Sequence, residues 1–295
     1  MSLDVSKHEA LLKLDCYNNE ITSLNFSGSS RLVSLECMFN KINELDISVC
    51  ESLETASIYS NLLTTLDVSE NKSLKFLNCS VNQLSVLDVS ENLFLQSLYC
   101  ESNMLKMIRL DKNDKLTSIN CSLNLIEKLD VSNNPGLIHI QCADNLLSIL
   151  DVSNNPLLQT LSCDANQIAF LDVSKNTDLY FLTCSNNQIV ALDVANNKLL
   201  TTLICGSNNI TTLNLNMNNR LGFLSCGENQ LSHIDVSKNP ILNAGSTPSF
   251  INPTLDISGM PSLQKVCVAV IPYPPLGLNV NSAGSPNVIF STECT

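Results

Sequence analysis

The chain of 295 residues repeats one pattern of hydrophobic and polar positions every 21 residues. Thirteen aliphatic residues mark this period: Leu3, Leu24, Leu45, Leu66, Leu87, Ile108, Leu129, Leu150, Leu171, Leu192, Leu213, Ile234 and Leu255. A fixed period of this length is typical of a solenoid, in which similar turns stack and together bury an apolar face that one turn could not bury alone. We therefore predict one elongated domain rather than two.

The pattern inside one unit predicts its secondary structure. The unit that begins at Leu158 follows L-x-x-L-x-C-x-x-N-x-L-x-x-L-D-V-S-x-N-x-x. The alternation at Leu161 and Cys163 predicts a short strand with inward and outward side chains in turn. Leu171 and Val173 alternate in the same way around Asp172, where longer repeats would carry a helix. We therefore predict a second extended segment there and almost no α-helix.

An asparagine follows the predicted strand in eleven consecutive units. These residues are Asn19, Asn40, Asn61, Asn82, Asn103, Asn124, Asn145, Asn166, Asn187, Asn208 and Asn229. A buried carboxamide at this point would hydrogen-bond backbone groups of the turns above and below, which must be satisfied once the chain bends inside. We expect a structural role for this ladder.

Ten of the thirteen cysteines occupy one strand position. They are Cys16, Cys37, Cys79, Cys100, Cys121, Cys142, Cys163, Cys184, Cys205 and Cys226. Ile58 fills the one gap, so the position requires a small apolar volume, which a buried cysteine supplies. Neighbours about 4.8 Å apart with parallel Cβ vectors are poorly placed for a disulfide. Since no C-x-x-C occurs either, we expect free buried thiols, including Cys50, and no metal site.

The repeat L-D-V-S-x-N-x-x-L-x-x-L-x-C-x-x-N-x-L, present from residue 3 to about residue 263, resembles the 21-residue cysteine-ladder repeats of internalin J and related bacterial cell-surface leucine-rich-repeat proteins. The resemblance implies a mainly β, right-handed curved coil. Short parallel strands would form its concave face, and extended segments and turns its convex face. It also implies export, a place on the cell surface or outside the cell, and a role in adhesion or recognition.

The pattern divides the chain into a repeat region, residues 1–263, with a degenerate last unit, and a C-terminal β cap, residues 264–295. A proline-rich linker at 271–275 and a final strand near 288–290 are expected in the cap. Cys267 and Cys294 lie in this segment, outside the ladder. They are the one candidate pair for a disulfide, because an end cap gains from a cross-link and a secreted protein would permit it.

Composition and the chain ends limit the function classes. The net charge of −12 argues against nucleic acid or an anionic membrane as partner. Three histidines without a nucleophile or ligand set, and no phosphate-binding or hydrolase motif, argue against an enzyme, a metal and a cofactor. There is no transmembrane stretch, signal peptide, sorting motif or anchor, and Met1 runs directly into the middle of a unit. We expect a monomeric fragment of a longer exported protein, with no membrane insertion.

The outward strand positions differ between the two halves of the chain. The N-terminal half carries large side chains there: Tyr17, Met38, Phe39, Tyr59, Phe76 and Tyr99. From the sixth unit onward, small polar residues dominate. Exposed aromatic clusters mark interaction surfaces, so we predict that these six residues bind an extracellular protein or glycan. The nearby acids Asp15, Glu36 and Glu101 favour a basic partner.

Other interpretations of this surface remain open. The six residues would also be explained by contact with a missing N-terminal cap, or by incidental exposure. The rival function is a rigid structural spacer that displays another domain, for which polar, uniform outward columns would be expected from end to end.

The aspartates of L-D-V-S form a further ladder. Its members are Asp46, Asp67, Asp88, Asp130, Asp151, Asp172, Asp193, Asp235 and Asp256. Such a row of carboxylates would attract calcium, or each aspartate would accept hydrogen bonds from its own turn. Arg109 interrupts the row, and we expect it to pair with Asp88, Asp130 or both as a surface contact.

Overall fold

The computed structural model describes residues 1–244 and 254–294. The protein is a parallel β-solenoid of about 13 turns with almost no helix, as the repeat predicts. It divides into two compact units, Met1–Leu147 and Ser148–Thr295. No helix among the described residues is both long and apolar enough to cross a bilayer.

Every strand is three residues long. The first unit contains β1 (Ser2–Asp4), β2 (Lys13–Asp15), β3 (Ser23–Asn25), β4 (Ser34–Glu36), β5 (Thr55–Ser57), β6 (Phe76–Asn78), β7 (Ser97–Tyr99), β8 (Ser118–Asn120) and β9 (His139–Gln141). The second unit contains β10 (Thr160–Ser162), β11 (Phe181–Thr183), β12 (Thr202–Ile204), β13 (Phe223–Ser225), β14 (His233–Asp235), α1 (Pro240–Ala244), β15 (Thr254–Asp256), β16 (Lys265–Cys267), β17 (Asn279–Asn281) and β18 (Ile289–Ser291).

In the first unit, β2 and β4 to β9 form one parallel sheet whose register follows the 21-residue period. Leu14 pairs with Leu35, and Leu77 with Leu98. We call the solvent side of these strands, together with the corresponding strands of the second unit, the sheet face; it is the predicted concave face. Within the first unit, the L-D-V-S part of each turn, here the LDV segment, forms strands only in β1 and β3; elsewhere in this unit it makes an isolated parallel bridge between Met107 and Lys128.

The strand pairing of the last repeat differs from the alignment that the sequence predicts. Leu255 pairs with Leu224 of β13, in the sheet row, and not with Ile234 of the LDV row. The LDV partner of Ile234 is Val266. Ser225 and Asp256 are therefore 31 residues apart instead of 21. The longer segment between these two strands contains α1. The sheet row and the LDV row both place aliphatic residues inward, so Leu255 suits either row. Its spacing of one period from Ile234 is therefore coincidental. Asp256 is consequently not a member of the aspartate ladder.

Buried asparagines satisfy the backbone where the chain turns, which confirms the predicted role of the first asparagine ladder. In Asn103, the side-chain Nδ2 donates to the carbonyl oxygens of Cys79 and Cys100, both at 3.1 Å. Its Oδ1 accepts the backbone N–H of Leu84 at 2.9 Å. One carboxamide thus links successive turns and leaves their inner polar groups satisfied.

A second asparagine ladder, to which the sequence analysis assigns no role, lies beside the LDV segment. Its members are fully buried: Asn71, Asn92, Asn113, Asn134, Asn155, Asn176, Asn197, Asn218 and Asn239. The Nδ2 of Asn92 donates to the carbonyl oxygens of Val68 and Asn71, both at 2.9 Å. Each amide therefore connects one turn to the one before it.

The aspartate ladder makes local hydrogen bonds. The Oδ1 of Asp46 accepts the backbone N–H of Ser48 at 3.0 Å and its hydroxyl at 2.6 Å. These bonds hold the pKa of the Asp46 carboxyl below its ordinary value. The predicted pairing of Arg109 is wrong as a direct contact, because no described carboxylate lies within 4.0 Å of its guanidinium. Its positive charge only adds to the hydrogen bonds from Ser90 that lower the pKa of Asp88.

The C-terminal segment continues the stacking. β17 pairs with β15, and β16 and β18 extend the LDV row from β14. Cys267 and Cys294 form a disulfide with a Cα–Cα distance of 5.5 Å. Tyr273 stacks on Phe290 at 4.9 Å and donates its hydroxyl to the carbonyl of Leu242 at 3.0 Å. The domain boundary at residue 263 stays a prediction. Strands before this residue pair with strands after it.

Candidate functional site

Six predicted ligand-binding residues lie on the sheet face and adjoining turns of the first unit, and we call them the aromatic patch. Its members are Tyr17, Met38, Phe39, Tyr59, Phe76 and Tyr99. Tyr17 and Phe39 are each 49% exposed, and the other four are partly exposed. All six therefore present apolar surface to solvent in an otherwise regular repeat.

Side chains of successive turns meet within the aromatic patch. The rings of Phe39 and Tyr59 lie edge to face at 4.9 Å. Those of Phe76 and Tyr99 are tilted at 5.6 Å. The Tyr99 hydroxyl lies 3.3 Å from the Ser118 hydroxyl oxygen. Such aromatic contacts hold the side chains in defined positions, which lowers the entropy lost when a partner binds.

The carboxylates near the patch are partly neutralised. Glu36 forms an ion pair with Lys13 at 2.7 Å. Glu101 accepts a hydrogen bond from the Asn120 carboxamide at 2.6 Å and has no ion-pair partner within the described chain. The attraction for a basic partner therefore comes from Asp15 and Glu101 more than from Glu36.

The sheet face of the second unit is polar and hydrogen-bonded within itself. Asp164 accepts hydrogen bonds from the hydroxyls of Ser162, at 3.1 Å, and Thr183. Its other oxygen accepts the backbone N–H of Ser185 at 2.8 Å. Phe181 and Phe223 are isolated apolar residues on this face. The contrast between the two halves, seen in the sequence, is therefore present in the folded protein.

The structure also shows an exposed apolar stripe, of whose members only Phe39 is predicted from the sequence. It lies where each strand turns into the following loop, and we call it the apolar edge: Phe39, Leu62, Val81, Met104, Leu123, Leu125 and Leu146. These side chains are between 40% and 49% exposed. Alignment of the positions on either side of the first asparagine ladder would have revealed it.

The ladder cysteines are buried free thiols. Removal from water raises the pKa of Cys79, Cys121 and Cys205 to about 12, and that of Cys16 to about 11. At neutral pH these thiols are protonated, and so they lack the thiolate that nucleophilic attack or metal binding requires.

One groove on the LDV side, of about 700 Å³, is lined by Asp46, Asp67 and Asp88 with Glu91, serine, threonine and aliphatic residues. Within the described ranges, one group of three side chains has metal-ligand spacing: Asp235, Cys267 and Cys294. Two of its three donors are joined in the disulfide, so it does not fit a metal.

Solved leucine-rich-repeat structures are similar to this fold. The functional domain of InlJ from Listeria monocytogenes, described as including a cysteine ladder, is 34% identical with a TM-score of 0.76; the match covers 87% of this chain and 62% of that domain. The leucine-rich effector protein YopM from Yersinia pestis is 24% identical, with a TM-score of 0.68 and coverage of 93% and 78%. An internalin from Listeria monocytogenes, inlF, is 20% identical, with a TM-score of 0.67 and coverage of 97% and 88%.

No protein-family model and no curated sequence matches the chain. The similarity at 20% and 24% identity shows the fold alone. The similarity to InlJ extends to the cysteine ladder, which ten of the turns share here.

Proposed function

Because the chain is a leucine-rich-repeat solenoid of the 21-residue cysteine-ladder type, similar to InlJ, we propose that it is a non-catalytic recognition or adhesion module. It binds an extracellular protein or glycan through the sheet face of its first unit. A solenoid with identical turns has a regular surface, and its specificity comes from side chains that break the regularity.

The aromatic patch is the observation that carries this proposal. Two aromatic pairs, Phe39–Tyr59 and Phe76–Tyr99, bring four rings together on a face where the second unit is mainly polar and its Phe181 and Phe223 are isolated. Tyrosine combines a large apolar area with a hydrogen-bonding hydroxyl and loses little entropy on binding, so it contributes strongly to interfaces.

Three further observations support an extracellular place and partner. The Cys267–Cys294 disulfide fits an oxidising compartment, where such bonds persist. The net charge of −12 disfavours nucleic acid and anionic membranes. The similarity to InlJ and an internalin agrees with a bacterial surface or secreted protein.

A structural spacer is the second candidate function. It is favoured by the second unit, whose sheet face satisfies its own polar groups through Asp164 and its neighbours. A rod that only displays another domain would have this character throughout, and the aromatic patch of the first unit argues against it.

The test compares the wild type with a Tyr17→Ser, Tyr59→Ser, Tyr99→Ser variant on an array of extracellular matrix proteins, mucins and glycans. A bound target whose affinity falls about tenfold or more in the variant is expected. Tyr180→Ser is the matched control, since Tyr180 is 40% exposed and lies outside the patch. Absence of any target, or a target bound equally by the triple variant, would favour the spacer.

A further inference from the structure

The apolar edge is a second, separate surface of the first unit. We propose that it docks an amphipathic α-helix of a partner protein, with apolar side chains along one face of the helix and lysine or arginine beside them. This proposal goes beyond the sheet-face function and does not depend on it, because only Phe39 belongs to both surfaces.

Each of six successive turns contributes at least one member to the apolar edge, in chain order from Phe39 to Leu146. The members occupy two positions of the turn, immediately before and immediately after the asparagine of the first ladder: Phe39, Val81 and Leu123 precede it, and Leu62, Met104, Leu125 and Leu146 follow it. Backbone hydrogen bonds hold neighbouring turns together here, with Leu62 donating to Ile42 at 2.8 Å, Val81 to Glu101 at 2.8 Å, and Leu123 to Ala143 at 2.9 Å. An exposed apolar residue is therefore present on each of these stacked turns, which makes the edge a candidate interaction surface.

The fold does not require apolar residues at these positions. The second unit builds the same turn with Ala165, Asn186, Ser207 and Glu228, and continues it with Gln167, Gln188, Asn209 and Gln230. The first unit instead places Phe39, Val81 and Leu123 in the left-handed region, with φ of 54° to 55°. Bulky residues are disfavoured there, and valine especially so. Because these side chains are also about half exposed, burial in the free protein does not account for the choice.

Helical dimensions match the apolar edge. Stacked turns are about 4.8 Å apart, so six turns extend over about 24 Å. An α-helix of about 16 residues has this length and presents one side chain to a given face about every 5.4 Å. A helix lying along the edge would therefore place roughly one apolar side chain per helical turn against roughly one apolar side chain per turn of the solenoid. Amphipathic helices are recognised through such regularly spaced apolar side chains.

The charged residues beside the apolar edge indicate which residues should flank the apolar face of the partner helix. Glu101 and Asp144 lie next to the edge, and neither forms an ion pair with a described cation. Lys41 is already paired with Glu20 at 3.1 Å. Basic residues on the partner would complement these carboxylates. A second copy of this chain, with a net charge of −12, and an anionic lipid surface would both be repelled.

The test uses a fluorescently labelled peptide of about 16 residues in which leucines follow helical spacing and lysines occupy the remaining positions. Its binding is followed by fluorescence anisotropy. A peptide with glutamate in place of lysine, and a scrambled peptide of the same composition, serve as ligand controls. The edge variant is Leu62→Gln, Val81→Asn, Met104→Gln, Leu123→Asn, which introduces residue types that the second unit carries at the same positions.

The matched control variant is Ile149→Thr, Phe170→Thr. It removes two apolar side chains that are 73% and 70% exposed on the LDV side. We expect saturable one-to-one binding of the lysine peptide to the wild type, the control variant and a Tyr17→Ser, Tyr99→Ser variant, which leaves the Phe39–Tyr59 ring contact intact. Binding should weaken about tenfold or more in the edge variant and for both control peptides. The edge variant should unfold at the same or a higher temperature, since asparagine replaces valine and leucine at left-handed positions.

Three results would overturn the proposal. The first is no saturable binding of the lysine peptide, or equal binding by the edge variant. The second is a concentration-dependent dimer in sedimentation velocity that the edge variant abolishes, which would identify a second copy as occupant. The third is flotation with uncharged phosphatidylcholine vesicles that only the edge variant loses, which would identify a membrane. None of them affects the sheet-face function, which the tyrosine variant tests separately.

Discussion

At the scale of single residues, the asparagines of the first ladder stabilise the turns, because they hydrogen-bond backbone groups that are buried where the chain bends. Asn103 makes contacts with backbone groups of its own turn and of the turn before it. Those backbone groups are buried, so they depend on the carboxamide for their hydrogen bonds. The repeated asparagine is therefore required by the turn, whereas the residue after it is free to vary.

Asn103→Ala should lower the free energy of unfolding by about 2 kcal/mol, because it leaves the Leu84 N–H buried without a partner and removes one of the two side-chain amides that donate to the carbonyl oxygens of Cys79 and Cys100. Urea unfolding followed by circular dichroism would measure the change. Asn19→Ala is the control: Asn19 has the same position in an exposed end turn and bonds only Cys16 and Tyr17, at 3.2 and 3.0 Å. An equal loss in the two variants would contradict the argument.

The left-handed position before each asparagine is a second single-residue effect. Val81 holds φ 54° there, and Asn186 holds the same angle in the second unit. Valine pays a steric cost at this angle that asparagine largely avoids. Val81→Asn should therefore stabilise the protein by about 0.5–1 kcal/mol, and the reverse change Asn186→Val should destabilise it by a similar amount. Thermal unfolding of both variants measures these changes. A destabilised Val81→Asn protein would show that valine is not strained at this angle.

At the scale of the strand, the cysteine ladder acts as a row of small apolar side chains. Ile58 stands in the same row as Cys37 and Cys79 and is equally buried. A cysteine differs from isoleucine in one respect, which is that it can ionise. Burial raises the pKa of Cys79, Cys121 and Cys205 from the ordinary 9.0 to about 12.

This shift makes stability depend on alkaline pH. Below pH 9 the thiols are protonated in both states and the stability they contribute is fully present. Between pH 9 and 12 the unfolded chain loses thiol protons that the folded chain keeps. The free energy of unfolding should fall by about 1.4 kcal/mol per pH unit for each such thiol. Unfolding in reductant from pH 8 upward measures the slope, with pH 8 as the reference. The Cys79→Ile, Cys121→Ile, Cys205→Ile variant should have a shallower slope, to which the remaining buried thiols with raised pKa values still contribute; an unchanged slope would contradict the assigned cause.

At the scale of the whole molecule, two compact units share one turn geometry and differ in their surfaces. The first unit carries the aromatic patch and the apolar edge, and the second carries the disulfide and α1. Stacked turns interact with their neighbours only, so a solenoid tolerates such specialisation of one region without loss of the fold elsewhere.

Thiol counting tests the whole-chain assignment of the cysteines. Eleven of the thirteen are free, and Cys267 and Cys294 are joined. Titration in denaturant without reductant should therefore find eleven thiols, and all thirteen after reduction. Cys267→Ser should lower stability by about 3 kcal/mol, as expected for a cross-link spanning a loop of this size. Loss of most ladder thiols before reduction would show that the ladder pairs after all.

The solenoid, its 21-residue turn, the buried rows and the near absence of helix follow from the order of residues alone. Each of these depends on which positions of one turn are apolar or carry an amide, and that pattern is local and repeated. The contrast between an aromatic first half and a polar second half was visible for the same reason, as was the candidate disulfide pair.

The matching of turns near the C-terminus, and the identity of the exposed residues that adjoin, depend on the folded arrangement. Leu255 suits both the sheet row and the LDV row, and the pairing with Leu224 settles its place. The Phe39–Tyr59 contact and the apolar edge arise between residues of neighbouring turns that occupy different positions in the repeat. A period fixes the distance along the chain, but the direction of each side chain and the length of an inserted segment determine which surfaces meet.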